Sequence, residues 1–535
     1  MISRSLAAVA LAAVGTLALA SCSAPDSDST TPGDYAQDGV FTTVIPQDPG
    51  DLNPLVTNLV AAQVVGAYAY DSLVFFEPTT GKPQPYLAAS WKEDANSVSF
   101  TLKDGITCSD GEPFTAQTAA DNFTWIVDPA NGSPLKDSII PGDAIATASG
   151  NTVTVTTPAP YPFLLNAVGS SALACSAALK DPKSASSKSD GTGLFTISEV
   201  VPNDHITLER RDGYNWGPNG TTTSDTLGVP KTVIIKIVID PSTRANLLLS
   251  KEINAAVVSG PDEERLASAQ LDSLSYPLMS GQILFNHHPG LPTADEAVRV
   301  ALVQASDLDT YTKINTAEKG TRATSLISAQ PKTCDYDSIT GSLPAFDAAA
   351  AAKTLADAGW VMGSDGTLEK NGTPLAVNLV YNNSVDAMSA GAEYLSGEWQ
   401  KLGVAVKLMG GDQNFVLSNT FSAPDPSAWG VALGLMLQSN TPTIFPAYFS
   451  GPTPPNGTNF AFIDNPRYVQ LTAQAATLPS DESCAVYQKA EEALFASADV
   501  VPVSTSPNNM YFNGAVSLIP PAAGVLPAAA IRVLK

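Results

Sequence analysis

Charge is scarce in this chain of 535 residues: Asp, Glu, Lys and Arg together make up 15%, against about a quarter in a typical soluble domain. Basic residues are the rarer sign, 28 Lys and Arg against 52 Asp and Glu, for a formal net charge of −24. That balance excludes nucleic acid as a partner, because phosphates demand a basic face. Histidine occurs only at His205, His287 and His288. Adjacent side chains on a strand point to opposite faces, so the pair at 287–288 predicts no metal site, and no resident cofactor is expected. Five cysteines are present without C-x-x-C spacing, which argues against redox and zinc roles. Beyond the N-terminus, hydrophobic runs are too short for a further membrane segment. The sequence also lacks G-x-S-x-G, H-E-x-x-H, Walker A and dinucleotide signatures, and Gly191-Thr192-Gly193 is too short for a phosphate loop; no catalysis is expected.

What is present begins at the N-terminus. Arg4 precedes an apolar, small-residue stretch over 6–20 that suits the core of a secretory signal. It ends in Leu19-Ala20-Ser21-Cys22, which resembles the lipobox of bacterial lipoproteins. The resemblance implies a signal peptide over 1–21, lipidation of Cys22, and a mature chain tethered to the outer face of the cell membrane. Residues 22–37 are polar, contain Pro and Gly, and read as a flexible tether.

The rest is 44% hydrophobic over the whole chain, enough for large cores, and shows no repeat period of 20–50 residues. Helix and strand signals are mixed throughout, giving an α/β class. Residues 233–239 read as a buried strand, Asp240-Pro241 as the start of a helix, and 255–258 as a returning strand: a β-α-β unit with parallel strands. In a second unit, Asp347 caps a helix over 348–358 that stops at Gly359. Asn371-Gly372 then marks a hairpin turn, 375–381 a strand, and 404–408 its return. Between them, Met388, Ala392, Leu395, Trp399 and Leu402 form one helical face. Between the two units, 282–286 reads as a short strand, and Thr293 with Glu296 as a capping box opening a helix over 294–305. Two such units separated in this way predict two lobes, with the chain crossing near 277–282. In an oxidising milieu Cys108, Cys175, Cys334 and Cys484 allow three pairings. The lobe division favours Cys108–Cys175 and Cys334–Cys484, each within one lobe.

A family likeness is spread along the chain. It includes Leu52-Asn53-Pro54-Leu55, Tyr70-Asp71-Ser72-Leu73, Ser90-Trp91, the run Phe100-Thr101-Leu102-Lys103-Asp104-Gly105-Ile106, Ser109-Asp110-Gly111, Thr243-Arg244, Val298-Arg299, Ala358-Gly359-Trp360 and Val501-Pro502. These motifs, in this order, resemble the peptide/nickel type of extracellular solute-binding protein that feeds ABC importers. The resemblance implies a two-lobe clamp with an extra subdomain inserted in lobe 1. The expected boundaries are 38–278 for lobe 1, with the insertion at about 61–185, then 279–499 for lobe 2, and 500–535 returning to lobe 1. It further implies a monomer that closes around a small-molecule or peptide ligand and presents it to permease subunits. A surface sensor or interaction lipoprotein of the same fold, without a transport role, is the alternative.

Peptide-binding members resemble one another in a lobe-2 segment where an Asp pairs with the ligand's amino group. The matching stretch here is 434–442; Gln438 stands near the expected Asp position, and 433–449 contains no acidic residue. An amide offers a donor and an acceptor but no charge, so a neutral polar ligand becomes the expectation. Trp429 and Phe445 flank the segment, where they can stack on a ring or pack in the core, and Asn440 lies within it. In lobe 1, Thr57 and Asn58 either face the cleft or cap the helix that starts near Leu59. Ser506 matches a hinge-proximal position of the family.

Overall fold

The structure is a computed structural model and describes residues 34–535. The signal peptide, Cys22 and most of the expected tether lie outside those residues. The end of that tether is held, not free: Tyr35 bridges to Leu534, and the Ala36 amide donates to the Val533 carbonyl at 2.9 Å. Backbone pairing with the C-terminal segment therefore orders the last residues of 22–37. No helix among the described residues is long and apolar enough to cross a membrane.

An eleven-stranded sheet runs through the molecule. From one edge its order is Ala405–Gly411, Ala376–Asn382, Val431–Leu433, Asp272–Phe285, Val500–Phe512, Ala255–Val258, Val40–Ile45, Thr232–Ile237, His205–Arg210 and Phe195–Val201, with Thr321–Arg322 paired beside Val500–Phe512. Two long antiparallel strands at its middle, Asp272–Phe285 and Val500–Phe512, join the halves. The first part of one and the last part of the other pair together alongside Ala255–Val258. Their opposite ends serve the half that contains Val431–Leu433. Register shifts flank Gly281 at the crossing. A Cβ there would stand 2.3 Å from the Ser504 hydroxyl, so only glycine admits the close approach.

In the second half Val431–Leu433 and the end of Asp272–Phe285 are buried on both faces, and successive residues feed different cores. Ile283 and Phe285 join one apolar cluster, with Leu379, Val431 and Leu433, while Leu284 joins the other with Val380 and Ala432. This is the period-two alternation of a strand inside a continuous apolar run. The first half packs one large cluster, from Phe41, Val233 and Ile235 to Phe100, Phe123 and Val153. The last three belong to a separate four-stranded sheet with its own helix, Ala116–Val127.

Most local expectations are matched closely. Asp240 accepts from the Thr243 amide and opens the helix Pro241–Leu249. Its flanking strands, Thr232–Ile237 and Ala255–Val258, are parallel, but Val40–Ile45 lies between them and pairs with both. Asp347 caps Ala348–Asp357, and Asn371 and Gly372 both take positive φ in the expected hairpin turn. The capping box is corrected: Asp295, not Thr293, caps the helix Glu296–Gln304. Thr293 is fully buried and donates instead to the Asn286 carbonyl at 2.6 Å, because a short 3-10 turn over Pro292–Ala294 comes first. The strand expected over 282–286 is the end of a much longer one. Both disulfides form, Cys108–Cys175 and Cys334–Cys484.

Candidate functional site

Where the two halves face each other they enclose a cavity of about 570 Å³. One wall is built by the helix Val60–Ala69, which turns Gln63, Gly66 and Ala67 toward the cavity and Val65, Tyr68 and Ala69 into the core. The spacing is that of a helix with one apolar stripe buried. Phe75 and Phe76 on the short strand Val74–Phe76, together with Tyr86, Tyr161, Phe163 and Asn166, extend this wall. Thr333 and the segment from Ser439 to Ile444 form the opposite wall. Contacts between the halves bracket the cavity. The Phe163 amide donates to the Ser480 hydroxyl at 3.1 Å, and a Cβ on Gly81 would meet the Lys332 carbonyl at 2.9 Å.

Among the described residues Asp71 is the only carboxylate in the lining, and its oxygens are engaged. The hydroxyls of Tyr86 and Thr192 and the indole N–H of Trp216 all donate to it. Burial holds its pKa above the usual carboxylate range, opposed by these donors and by the Arg211 charge. Its role is to fix Tyr86 in the wall. Among the described residues no Lys or Arg lines the cavity. An arriving anion would therefore lose its hydration without finding a counter-ion, which is costly.

The far wall is held from behind. Thr333 donates to the Asn440 carbonyl through both its amide, at 2.8 Å, and its hydroxyl, at 3.0 Å. The neighbouring Cys334 is fastened by its disulfide to the helix Ser480–Ala496.

The structure brings Thr57 and Asn440 to the cavity and spreads the other residues singled out from sequence. Thr57 also accepts from the Leu59 amide, and the exposed Asn58 contributes its carbonyl to Gln63. Trp429 is fully buried beside Phe460, and Phe445 is buried and stacked on Phe449. Gln438 accepts from the Met279 amide at 2.9 Å and the Ser328 hydroxyl at 3.0 Å, tying its segment to a crossing strand. Ser506 donates to Ser280 across the two crossing strands. His287 is buried within 3.8 Å of Asp499. Burial, with Arg299 nearby, lowers its pKa to about 3, while His288 lies edge-on to Phe462. Among the described residues no group of three His, Cys, Asp or Glu could hold a metal ion. Sequence reasoning did not single out Phe75, Phe76, Tyr86, Tyr161 and Asn166 as site residues; the first three follow the Asp71 motif as a small aromatic cluster, whereas Tyr161 and Asn166 carry no local signal.

Residues 82–460 match the family model of bacterial extracellular solute-binding proteins, family 5. The chain is 26% identical over 400 residues to the nickel-binding periplasmic protein of Escherichia coli, covering 70% of this chain and 72% of that one. A substrate-binding protein from Microbacterium hydrocarbonoxydans, solved in complex with 4-hydroxybenzoate hydrazide, superposes with a TM-score of 0.70. It is 26% identical, covering 92% of this chain and all of the other. An ABC transporter substrate-binding protein from Listeria monocytogenes has the same fold, with a TM-score of 0.78 at 20% identity, covering 93% of this chain and all of the other. The two-lobe α/β clamp, the cavity between its halves and these matches agree: this chain belongs to the family 5 extracellular solute-binding proteins and is a binding protein, not an enzyme.

Proposed function

We propose that this chain is the extracytoplasmic receptor of an ABC importer, anchored through lipidated Cys22, which closes around one small uncharged ligand and presents it to the permease. The observation that carries this reading is the cavity, whose walls come from both halves while two strands alone carry the sheet between them. Hinge closure is the motion such a frame allows. A ligand drives it only by binding the closed form better than the open one. The uncharged class is supported by the saturated Asp71 and by the absence, among the described residues, of basic side chains from the lining. The ligand named for the Microbacterium protein, 4-hydroxybenzoate hydrazide, is likewise an aromatic compound without a carboxylate.

The test is mass spectrometry of ligand retained by the purified mature chain, followed by uptake of that compound in cells with and without the gene. Deletion is expected to abolish high-affinity uptake, and unchanged uptake would overturn the reading. In calorimetry, a free-amine peptide is expected to bind no better than its N-acetylated form.

A further inference from the structure

A side chamber of about 200 Å³ adjoins the main cavity and shares much of its wall. Among the described residues no charged side chain lines it. Its hydroxyls are already spent on the backbone: Ser72 donates to the Val74 carbonyl at 2.8 Å and Ser170 to the Asn166 carbonyl at 2.7 Å. Two side chains remain. Asn166, on the helix Leu164–Gly169 of the first half, and Asn440, on the opposite half, both line the chamber and the main cavity. The backbone carbonyls of both residues are hydrogen-bonded, but neither carboxamide has a partner among the described residues. Phe75 and Phe76 line the same chamber, and the Phe75 ring stands edge-on to Tyr86 at 6.3 Å.

We propose that Asn166 and Asn440 form a carboxamide clamp across the lobes for an uncharged ligand that joins an aromatic ring to a carboxamide-like group. The inference rests on the receptor reading above and names the ligand class and the residues that select it. Each asparagine presents a donor and an acceptor, so together they can satisfy a ligand group that also has both. A carboxylate has acceptors only and would leave N–H-matching carbonyl oxygens facing it; an ammonium has donors only. Both ions would also be desolvated without a counter-charge. The aromatic walls take the ring by offset or edge-on contact. Because one asparagine comes from each half, the full set of hydrogen bonds exists only in the closed form, and this differential contact is what favours closure. Sites built to hydrogen-bond a ligand group discriminate strongly against analogues that lack it.

The probes are 4-hydroxybenzamide and 4-hydroxybenzoate, titrated calorimetrically into the ligand-free mature chain and into the variants Asn166→Ala, Asn440→Ala and the double variant. The amide is expected to bind at least tenfold tighter than the carboxylate. Each single variant should weaken amide binding at least tenfold, without changing the melting temperature of the ligand-free protein. The double variant should lose less than the product of the singles, because either loss alone already breaks the clamp. Equal affinity for the two probes, no binding of the amide, or wild-type affinity in the variants overturns the inference. Failure of the receptor reading is read separately: a charged retained ligand whose uptake depends on the gene defeats the clamp and the uncharged ligand class but leaves the receptor role standing, whereas gene-independent uptake defeats the receptor.

Discussion

Glu491 shows how far a single buried group can depart from its behaviour in water. It lies on the helix Ser480–Ala496, almost inaccessible, and accepts from the Tyr336 hydroxyl at 3.0 Å, the Ser338 hydroxyl at 2.6 Å and the Leu326 amide at 3.2 Å. Burial raises its pKa from 4.5 to about 7, against the pull of these donors and the more distant Lys332. The raised value means that the native state holds this proton more tightly than the unfolded chain. Its contribution to stability is therefore complete below pH 4.5 and is lost as pH rises through about 7. Where only the native state is protonated, the slope approaches about 1.4 kcal/mol per pH unit. Glu491→Gln removes the titration, so denaturant melts of the variant and the wild type should diverge between these pH values in the variant's favour. Parallel pH profiles would contradict this. Asp71 shows a different outcome of burial: with three donors and Arg211 nearby it becomes a positioning group for Tyr86.

Among the elements, those with local start and stop signals were legible in the sequence. Asp240, Asp347 and Asn371-Gly372 act over one turn of chain, where backbone geometry and short hydrogen bonds decide. The Thr293 capping box failed because Thr293 is drawn into the core by the Asn286 carbonyl, a partner seven residues earlier. The disulfides act at this scale too. Cys334–Cys484 closes a separation of 150 residues and Cys108–Cys175 one of 67. Loop entropy grows only logarithmically, so the two are expected to contribute similarly, each about 2–5 kcal/mol. What separates them is location, since Cys334 adjoins Thr333, which holds the Asn440 carbonyl. The double variant Cys334→Ser/Cys484→Ser should therefore lower the denaturant midpoint and also weaken ligand binding severalfold. Unchanged ligand affinity in a folded variant would show that the bridge does not support the cavity wall.

For the whole molecule, the question is what holds the two halves together over the cavity. Phe163 sits at the tip of the first half in a left-handed conformation, φ 63°, and its side chain joins the apolar cluster of the second half. It is 4% exposed. Withdrawing such a ring costs about 1.5–3 kcal/mol, so Phe163→Ala should move the closed–open equilibrium about ten- to a hundredfold toward open. Small-angle scattering should record a larger radius of gyration, with ligand affinity falling in step; unchanged compactness would remove Phe163 as the latch. By itself, the sequence determined the α/β class, the two units, the places where helices begin, and an unusually neutral segment at Gln438. These depend on period, caps and residue type, which act within a few neighbours. The tertiary structure decided that Trp429 and Phe445 are core, that Gln438 fastens a crossing strand, and that Phe75, Phe76, Asn166 and Asn440 meet around one cavity. Asn166 and Asn440 are 274 positions apart in the chain, and no local pattern couples them; only the tertiary fold, which sets the two halves face to face, brings both residues to the same cavity.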